Sequence, residues 1–494
     1  MNDDPRLPGI EKQVERAIAT GNDIRSIRDE FLGLYDSEKL VDQAISNVRN
    51  RINHIYDLED PYVISSESKR EMGAHWYAGP SSTSTRWNFV KERLAMEGRS
   101  EKEIAEVLNS SETILGLLDS PGSPVPFASR GLVLGYVQSG KTTNFISTIA
   151  QAADAGYRLI IVLSGVTNNL RKQTQDRLER SLTGNNPNNW NWLTSLDSDF
   201  NESRNANDLL SAPSKRVIAV IKKNNSRLKK LKSWLNDAST LTKQGLPVLI
   251  IDDEADQATV NSAKAINRQT AINKTLTEIL DIGFLPKNAY LGYTATPFAN
   301  ILSDARTEKQ LFPRDFIYPL NRPDHYFGAE QLFGRNPIDE EDQEVFTGRD
   351  IVIPITIADK IKLGPLANMK TGKTIPELPD SLLRAIKWFI LASAVRKWRT
   401  GRNRFSTMLI HTSGYIAVHE EMAILLSDQL ATWRRLPKQQ LESLLKDIWD
   451  FEKLRGWRDT DSILPEFEEF SDLSIDVLNQ LKLIVDNSRS EDRL

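Results

Sequence analysis

The chain of 494 residues is 39% hydrophobic and 26% charged, enough for folded cores under a solvated surface and a length that suggests about three domains. Its 63 basic against 67 acidic side chains leave a formal charge of -4, which excludes a bulk electrostatic grip on nucleic acid while leaving room for a local basic groove. The absence of cysteine excludes disulfides, thiolate zinc, iron–sulfur ligation and cysteine nucleophiles, and fits a reducing compartment.

The N-terminus opens on acids where a secretory leader carries basic and then apolar residues, so a soluble, cytoplasmic protein is expected. Apolar residues at helical spacing in Ile10–Ile18, Ile24–Val48 and Phe89–Leu108 predict a helical N-terminal region over 1–118, interrupted by turn residues around Gly79 and Pro80. Asp119–Pro126, with three prolines and a glycine, reads as a domain boundary. After it, short apolar runs alternate with helical stretches: Gly131–Gly135, Leu159–Leu163, Val217–Ile221, Val248–Ile251 and Ala289–Tyr293. That pattern predicts an α/β domain over 127–300, a parallel sheet covered by helices on both faces. The Asn-rich stretch Gly184–Asn207 is expected to be a surface loop, with Trp190 and Trp192 either stacking on bases or buried. Residues 301–379 lack periodicity and read as an irregular connection. In 380–494, the apolar helix Leu382–Trp398 carries Arg384, Lys387, Arg396 and Lys397, so it is amphipathic rather than membrane-spanning. Strands at Thr407–His411, with His411 as a satisfied core histidine, and at Leu481–Val485 suggest a second, partial α/β lobe.

Gly135-Tyr-Val-Gln-Ser-Gly140-Lys141-Thr142 fits G-x-x-x-x-G-K-S/T, between an apolar strand and a helical stretch. Gly135 and Gly140 let the backbone curl, so amides through Gln138, Ser139, Lys141, Thr142 and Thr143 can surround phosphates at a helix N-terminus. Lys141 would reach the β- and γ-phosphates of ATP, and the Thr142 hydroxyl would ligate Mg2+. The strand Val248–Ile251 runs into Asp252, Asp253, Glu254 and Asp256, placing acids at the carboxyl edge of the sheet. Asp253 is the expected magnesium partner, through water, and Glu254 is placed to polarise an attacking water. With Lys141 these two form the expected catalytic set of a nucleoside triphosphatase.

Asp253-Glu254-Ala255-Asp256 spells the DEAD form of the superfamily 2 helicase motif, and Tyr293-Thr294-Ala295-Thr296-Pro297 resembles that superfamily's third motif. With LGYVQSGKTTN, IIDDEADQAT, YLGYTATPFANIL and MLIHTS, the chain from about Ile114 onward resembles the Z1-domain family, bacterial helicase-like ATPases that carry an endonuclease label. The resemblance implies a P-loop, RecA-like fold with ATP between two lobes. It also implies a role in handling DNA, often within defence gene clusters, where a separate nuclease or other defence protein would be a partner. It assigns Thr294 and Thr296 to coupling the ATP site to movement of the second lobe, although strand-end hydrogen bonding would explain them equally simply.

The same resemblance places a nucleic-acid contact on Arg171, Lys172 and Gln173 after one strand, and the basic residues Lys222 and Lys223 after the next strand form a second candidate cluster on that sheet edge. A solvated basic helix face is the competing reading. Glu67-Ser68-Lys69 matches a fragment of metal nucleases but has no separate Asp partner nearby, so no nuclease site is read here. Gln331–Arg335 spells the superfamily's arginine-finger motif at the wrong place and is set aside. The family's later motifs would lie beyond Leu481–Val485, so the second lobe is expected to be truncated. An ATP-switched scaffold that recruits a nuclease, an intrinsic endonuclease and an RNA-remodelling enzyme remain the alternatives.

Overall fold

The computed structural model describes residues 4, 6–19, 24–35, 37–55, 64–65, 76–136, 140–183, 190–259, 270–297, 300, 311–322, 326–334, 352–363, 377–402, 405–413, 415–455 and 465–486. The chain divides into two compact units, Met1–Tyr326 and Phe327–Leu494. The first begins with helices α1 (Leu7–Ala19), α2 (Ile24–Leu34) and α3 (Glu38–Ile55), which share an apolar core of Ile10, Val14, Ile27, Phe31, Val41 and Val48. A two-residue strand, β1 (Ile64–Ser65), precedes helices α4 (Thr85–Met96) and α5 (Glu101–Leu117). The predicted run Phe89–Leu108 is broken between these two helices. Gly98 takes a positive φ of 84°, and Ser100 opens α5 with a reciprocal capping box to Glu103.

An eight-stranded sheet follows, formed by β1, β2 (Phe127–Leu134), β3 (Leu159–Ser164), β4 (Asn191–Trp192), β5 (Val217–Lys222), β6 (Val248–Asp253), β7 (Lys287–Thr294) and β8 (Phe316–Pro319). The strand order is β1-β8-β2-β7-β6-β3-β5-β4, and every adjacent pair is parallel except β1 with β8. All five strands read from the apolar runs are present, as is the parallel α/β architecture. Period-two alternation explains why those runs are apolar throughout. On one face Ile160, Val162, Ile218, Val220, Leu249 and Ile251 pack against Phe145 and Ile149 of α6 (Lys141–Ala155) and Leu178 of α7 (Asn168–Leu182). On the other, Leu159, Ile161, Val217, Ala219, Val248 and Ile250 pack against Leu228 and Leu231 of α8 (Asn225–Asn236) and Leu276 of α9 (Ala271–Ile279).

The Pro-rich segment 119–126 is a turn inside this unit rather than a boundary between domains. Ile114, Leu115 and Leu118 belong to the same core as Phe145 and Ile149. Polar contacts join α5 to α6 as well: Asn144 Nδ2 donates to Ser110 Oγ at 2.9 Å, and Gln151 Nε2 to Ser111 Oγ at 2.6 Å. The expected Asn-rich surface loop also differs. Residues 191–192 form the edge strand β4, and Trp190 is buried with its Nε1 donating to the Leu182 carbonyl. Trp192 donates to Thr183 Oγ1, so both indoles are tied to the protein interior rather than offered to bases.

The second unit contains α10 (Asp380–Thr400), α11 (Ile416–Arg434), α12 (Lys438–Arg455) and α13 (Phe467–Gln480). They pack around Ile390, Leu391, Ala394, Leu426, Leu430, Leu445, Trp449 and Phe470. The amphipathic reading of Leu382–Trp398 is correct, and no described helix is long and apolar enough to cross a membrane. The predicted strands Thr407–His411 and Leu481–Val485 are not formed, and no described residue of 380–494 lies in a strand. Residues 405–411 keep strand-like alternation, with Phe405, Thr407, Leu409 and His411 outward, but no neighbouring strand supplies a ladder. His411 is exposed rather than a core histidine. The second unit is thus helical where a partial RecA-like lobe was expected.

Gly131 in β2 lies opposite Phe316 in β8, and a Cβ built on it would sit 2.2 Å from the Phe316 ring. Phe316 is 1% exposed and sits in the same apolar core as Val133 and Tyr293. Gly131→Ala should therefore lower stability by about 1–3 kcal/mol, the usual cost of overpacking, as measured by denaturant unfolding. An unchanged midpoint would contradict this packing.

Candidate active site at the carboxyl edge of the sheet

The phosphate loop leaves β2 at Gly135, whose backbone N–H donates to the Thr294 carbonyl at 3.0 Å. A Cβ at Gly135 would sit 2.5 Å from Lys141 Cγ, so only glycine lets the lysine stem fold back across the loop. Gly140 has φ 95° and ends the loop at the first turn of α6. Lys141 is buried, and its Nζ lies 3.7 Å from Glu254 Oε1. Thr142 and Thr143 are half-buried in the same turn. Gln138 and Ser139 lie outside the described residues.

The acidic residues follow β6, two strands away in the sheet. Asp252 is fully buried, receiving a hydrogen bond from the Tyr290 hydroxyl at 2.5 Å and an ion pair from Lys223 Nζ at 2.8 Å. Asp253, the next residue, has its carboxyl pushed up to about 6 by burial and then by the neighbouring Glu254, with Lys223 and Lys141 opposing. Glu254 takes a left-handed φ of 54°, uncommon for a residue with a Cβ. Asp256 accepts hydrogen bonds from Thr294 Oγ1 and Thr296 Oγ1, both at 2.8 Å. The Thr296 N–H also donates to Thr294 Oγ1 at 2.9 Å. The two threonines are therefore joined directly to the acidic turn. On the other side of β7, the Tyr293 hydroxyl donates to Asn144 Oδ1 of α6 at 2.8 Å. Loop, acids and threonines thus form one hydrogen-bonded edge.

The strand-end basic residues separate into two groups. Arg171 is 2% exposed, with its guanidinium donating to the Leu196 carbonyl at 2.6 Å and its pKa lowered by burial. Lys223 is 3% exposed and directed into the acidic turn. Neither can meet a strand of nucleic acid, so both are corrected from contact residues to structural ones. Lys172 is half-exposed beside Asp197, Gln173 is exposed, and Lys222 donates to Asn168 Oδ1 at 2.7 Å. These three stay available at the surface. Two features escaped the sequence reading: Asp256 as the acceptor for both threonines, and the buried Lys223–Asp252–Tyr290 group. One signal for the latter was present, since adjacent lysines at the end of a doubly covered strand point to opposite faces.

The donors at this edge suit a magnesium ion. Thr142 and Asp253 offer hard oxygen atoms of the kind that ion takes. Among the described residues no group of three or more His, Asp or Glu could hold a metal alone, so phosphate oxygens would have to complete the shell. Glu67-Ser68-Lys69 lies outside the described residues.

A model of the family described as Z1 domain matches residues 381–494. No curated protein matches the chain in sequence. Among solved structures, the chain is similar to the Hef helicase domain of Pyrococcus furiosus, at 15% identity and a TM-score of 0.29, over 78% of this chain and 70% of that one. At that score the likeness supports nothing beyond itself, and the chemistry rests on the geometry above.

An Asp in an unfolded chain titrates near 3.9, so the folded protein binds the Asp253 proton more tightly than the unfolded one does. Ionising Asp253 therefore costs stability, on the order of 3 kcal/mol, fully present above about pH 6 and relieved as the pH falls toward 4. Asp253→Asn should raise the unfolding temperature at pH 7.5, and its advantage over the wild type should shrink between pH 6 and 4. A variant no more stable than wild type at pH 7.5 would refute the strained carboxylate.

Proposed function

We propose that the chain is a magnesium-dependent, helicase-like ATPase that couples ATP binding and hydrolysis to engagement of nucleic acid, DNA in the first instance. The observation that carries this reading is the approach of Lys141 to Glu254, 3.7 Å apart, from a phosphate loop and an acidic strand end that are remote in sequence. Lys141 in this arrangement neutralises the acid that would otherwise stand beside Asp253. An incoming triphosphate offers the ammonium a stronger partner and frees Glu254 to accept a proton from water. Backbone amides of Gly140 to Thr143, at the first turn of α6, would face the phosphates, and Gly135, Gln138 and Ser139 are the sequence motif's further candidates. Thr142 and Asp253 would hold Mg2+, which when bound offsets the charge of the phosphate oxygens. Thr294 and Thr296, bonded to Asp256, would carry a change at the acidic turn to whatever packs on that edge.

For nucleic acid, the half-exposed Lys172, exposed Gln173 and Lys222 at the ends of β3 and β5 supply polar and basic contacts on the same sheet edge. The match to a Z1 domain over residues 381–494 supports a place for the chain in DNA processing, with a nuclease or another defence protein as partner.

Turnover assays on the intact chain test this reading. Lys141→Ala should abolish nucleotide binding, whereas Glu254→Gln should bind ATP and hydrolyse it about 10²- to 10⁴-fold more slowly. Wild-type rates in both variants would sink the site assignment. ATP binding without turnover, joined to nucleotide-dependent capture of a nuclease, would favour an ATP-switched scaffold.

Binding titrations with single-stranded DNA separate the basic residues. Lys222→Ala should weaken binding several-fold and lower the salt slope by about one. Arg171→Ala should destabilise the fold, because it removes a donor to the Leu196 carbonyl. Equal affinity in Lys222→Ala would exclude that strand end as the contact.

A further inference from the structure

Lys223 follows β5, yet its ammonium ends at the turn after β6, with β3 lying between the two strands. Second-neighbour strands are about 9–10 Å apart, so only a long stem bridges them. The side chain is fully buried. Its ammonium lies 2.8 Å from Asp252 Oδ1 in an ion pair, and it donates to the Glu254 carbonyl at 2.5 Å and the Gln257 carbonyl at 3.2 Å. The second Asp252 oxygen is held by Tyr290, so the counter-charge is itself anchored. Both hydrogen bonds thus end on backbone carbonyls of the turn whose first residue, Glu254, carries the left-handed φ of 54°. A sparsely populated backbone conformation persists where its surroundings over-determine it. Here Thr294 and Thr296 hold the turn through Asp256, the Ala255 N–H donates to the Tyr293 carbonyl, and the ammonium is the cation that grips the Glu254 carbonyl itself.

We infer that Lys223 is a positioning residue for Glu254: by gripping the Glu254 carbonyl it fixes the backbone turn, and with it the direction in which the Glu254 carboxylate meets water. This rests on the ATPase reading above and adds a residue that sets turnover without touching nucleotide. The ammonium reaches the turn from the side of Asp252 and Tyr290, whereas Lys141 approaches the Glu254 carboxylate from the phosphate loop. Removing Lys223 should therefore lower kcat while leaving ATP affinity in place.

Lys223→Met alone leaves Asp252 buried without its counter-charge and can fail to fold. The test pairs it with Asp252→Asn, which removes that charge and keeps a partner for Tyr290. In the folded double variant, kcat should fall about 10- to 100-fold while the affinity for a fluorescent ATP analogue changes less than threefold, and Lys223→Arg should retain most of the turnover. Added to Glu254→Gln, the same double change should cost nothing further, since the residue it positions is already disabled. A wild-type kcat in the double variant, a parallel loss of affinity and kcat, or a full additional loss on the Glu254→Gln background would each overturn the inference. Absence of turnover in the wild-type chain would instead overturn the ATPase reading, and this inference with it.

Discussion

Parallel pairing is the constraint from which the rest of the first unit follows. Strands that run the same way all leave the sheet at one edge, and their connections must cross back over a face. That rule brings the loop after β2, the acids after β6, the threonines at the end of β7 and the lysine after β5 onto a single rim. It also requires both faces to be covered, so the strands alternate two sets of apolar residues between two separate cores. The helices that bury those faces are the same ones that start at the rim. Thus α6 both fills the core with Phe145 and Ile149 and presents Lys141 at its first turn.

Consecutive carboxylates at the end of β6 meet different fates because consecutive residues of a strand face opposite sides. Asp252 is enclosed by Lys223, which pairs with it as a counter-ion, and by Tyr290, which donates to its second oxygen. Asp253 has no such enclosure; burial and Glu254 push its pKa up to about 6. Burial disfavours the charged form of a carboxylate, so ionising Asp253 is costly even with two lysines nearby. One strand end thus holds a carboxylate paired with a buried cation beside one whose ionisation is opposed by burial.

The second unit obeys a different rule. Its four long helices close an apolar core on their own, through Ile390, Leu430, Trp449 and Phe470. The segment 405–411 alternates as a strand does, with Phe405 fully exposed and Leu409 89% exposed. Alternation is a property of one segment, but a strand exists only with a partner for its N–H and C=O groups. Among the described residues of this unit none provides one.

The sequence by itself determined the elements whose signals are local: five apolar strands, the helices between them and the acidic run at the end of β6. Each depends on residues within about ten positions, where periodicity and turn chemistry act. It could not decide which strand-end cations face solvent. Arg171 and Lys172 are neighbours, as are Lys222 and Lys223, yet one of each pair is buried and the other is not. Nor could it join Asp256 to Thr294 and Thr296, or show that the helices before the Pro-rich segment share one core with the sheet after it. Those outcomes depend on contacts between segments far apart in the chain. Only the packed sheet sets which side chain has a buried carbonyl or carboxylate within reach, and a desolvated charge must find such a partner.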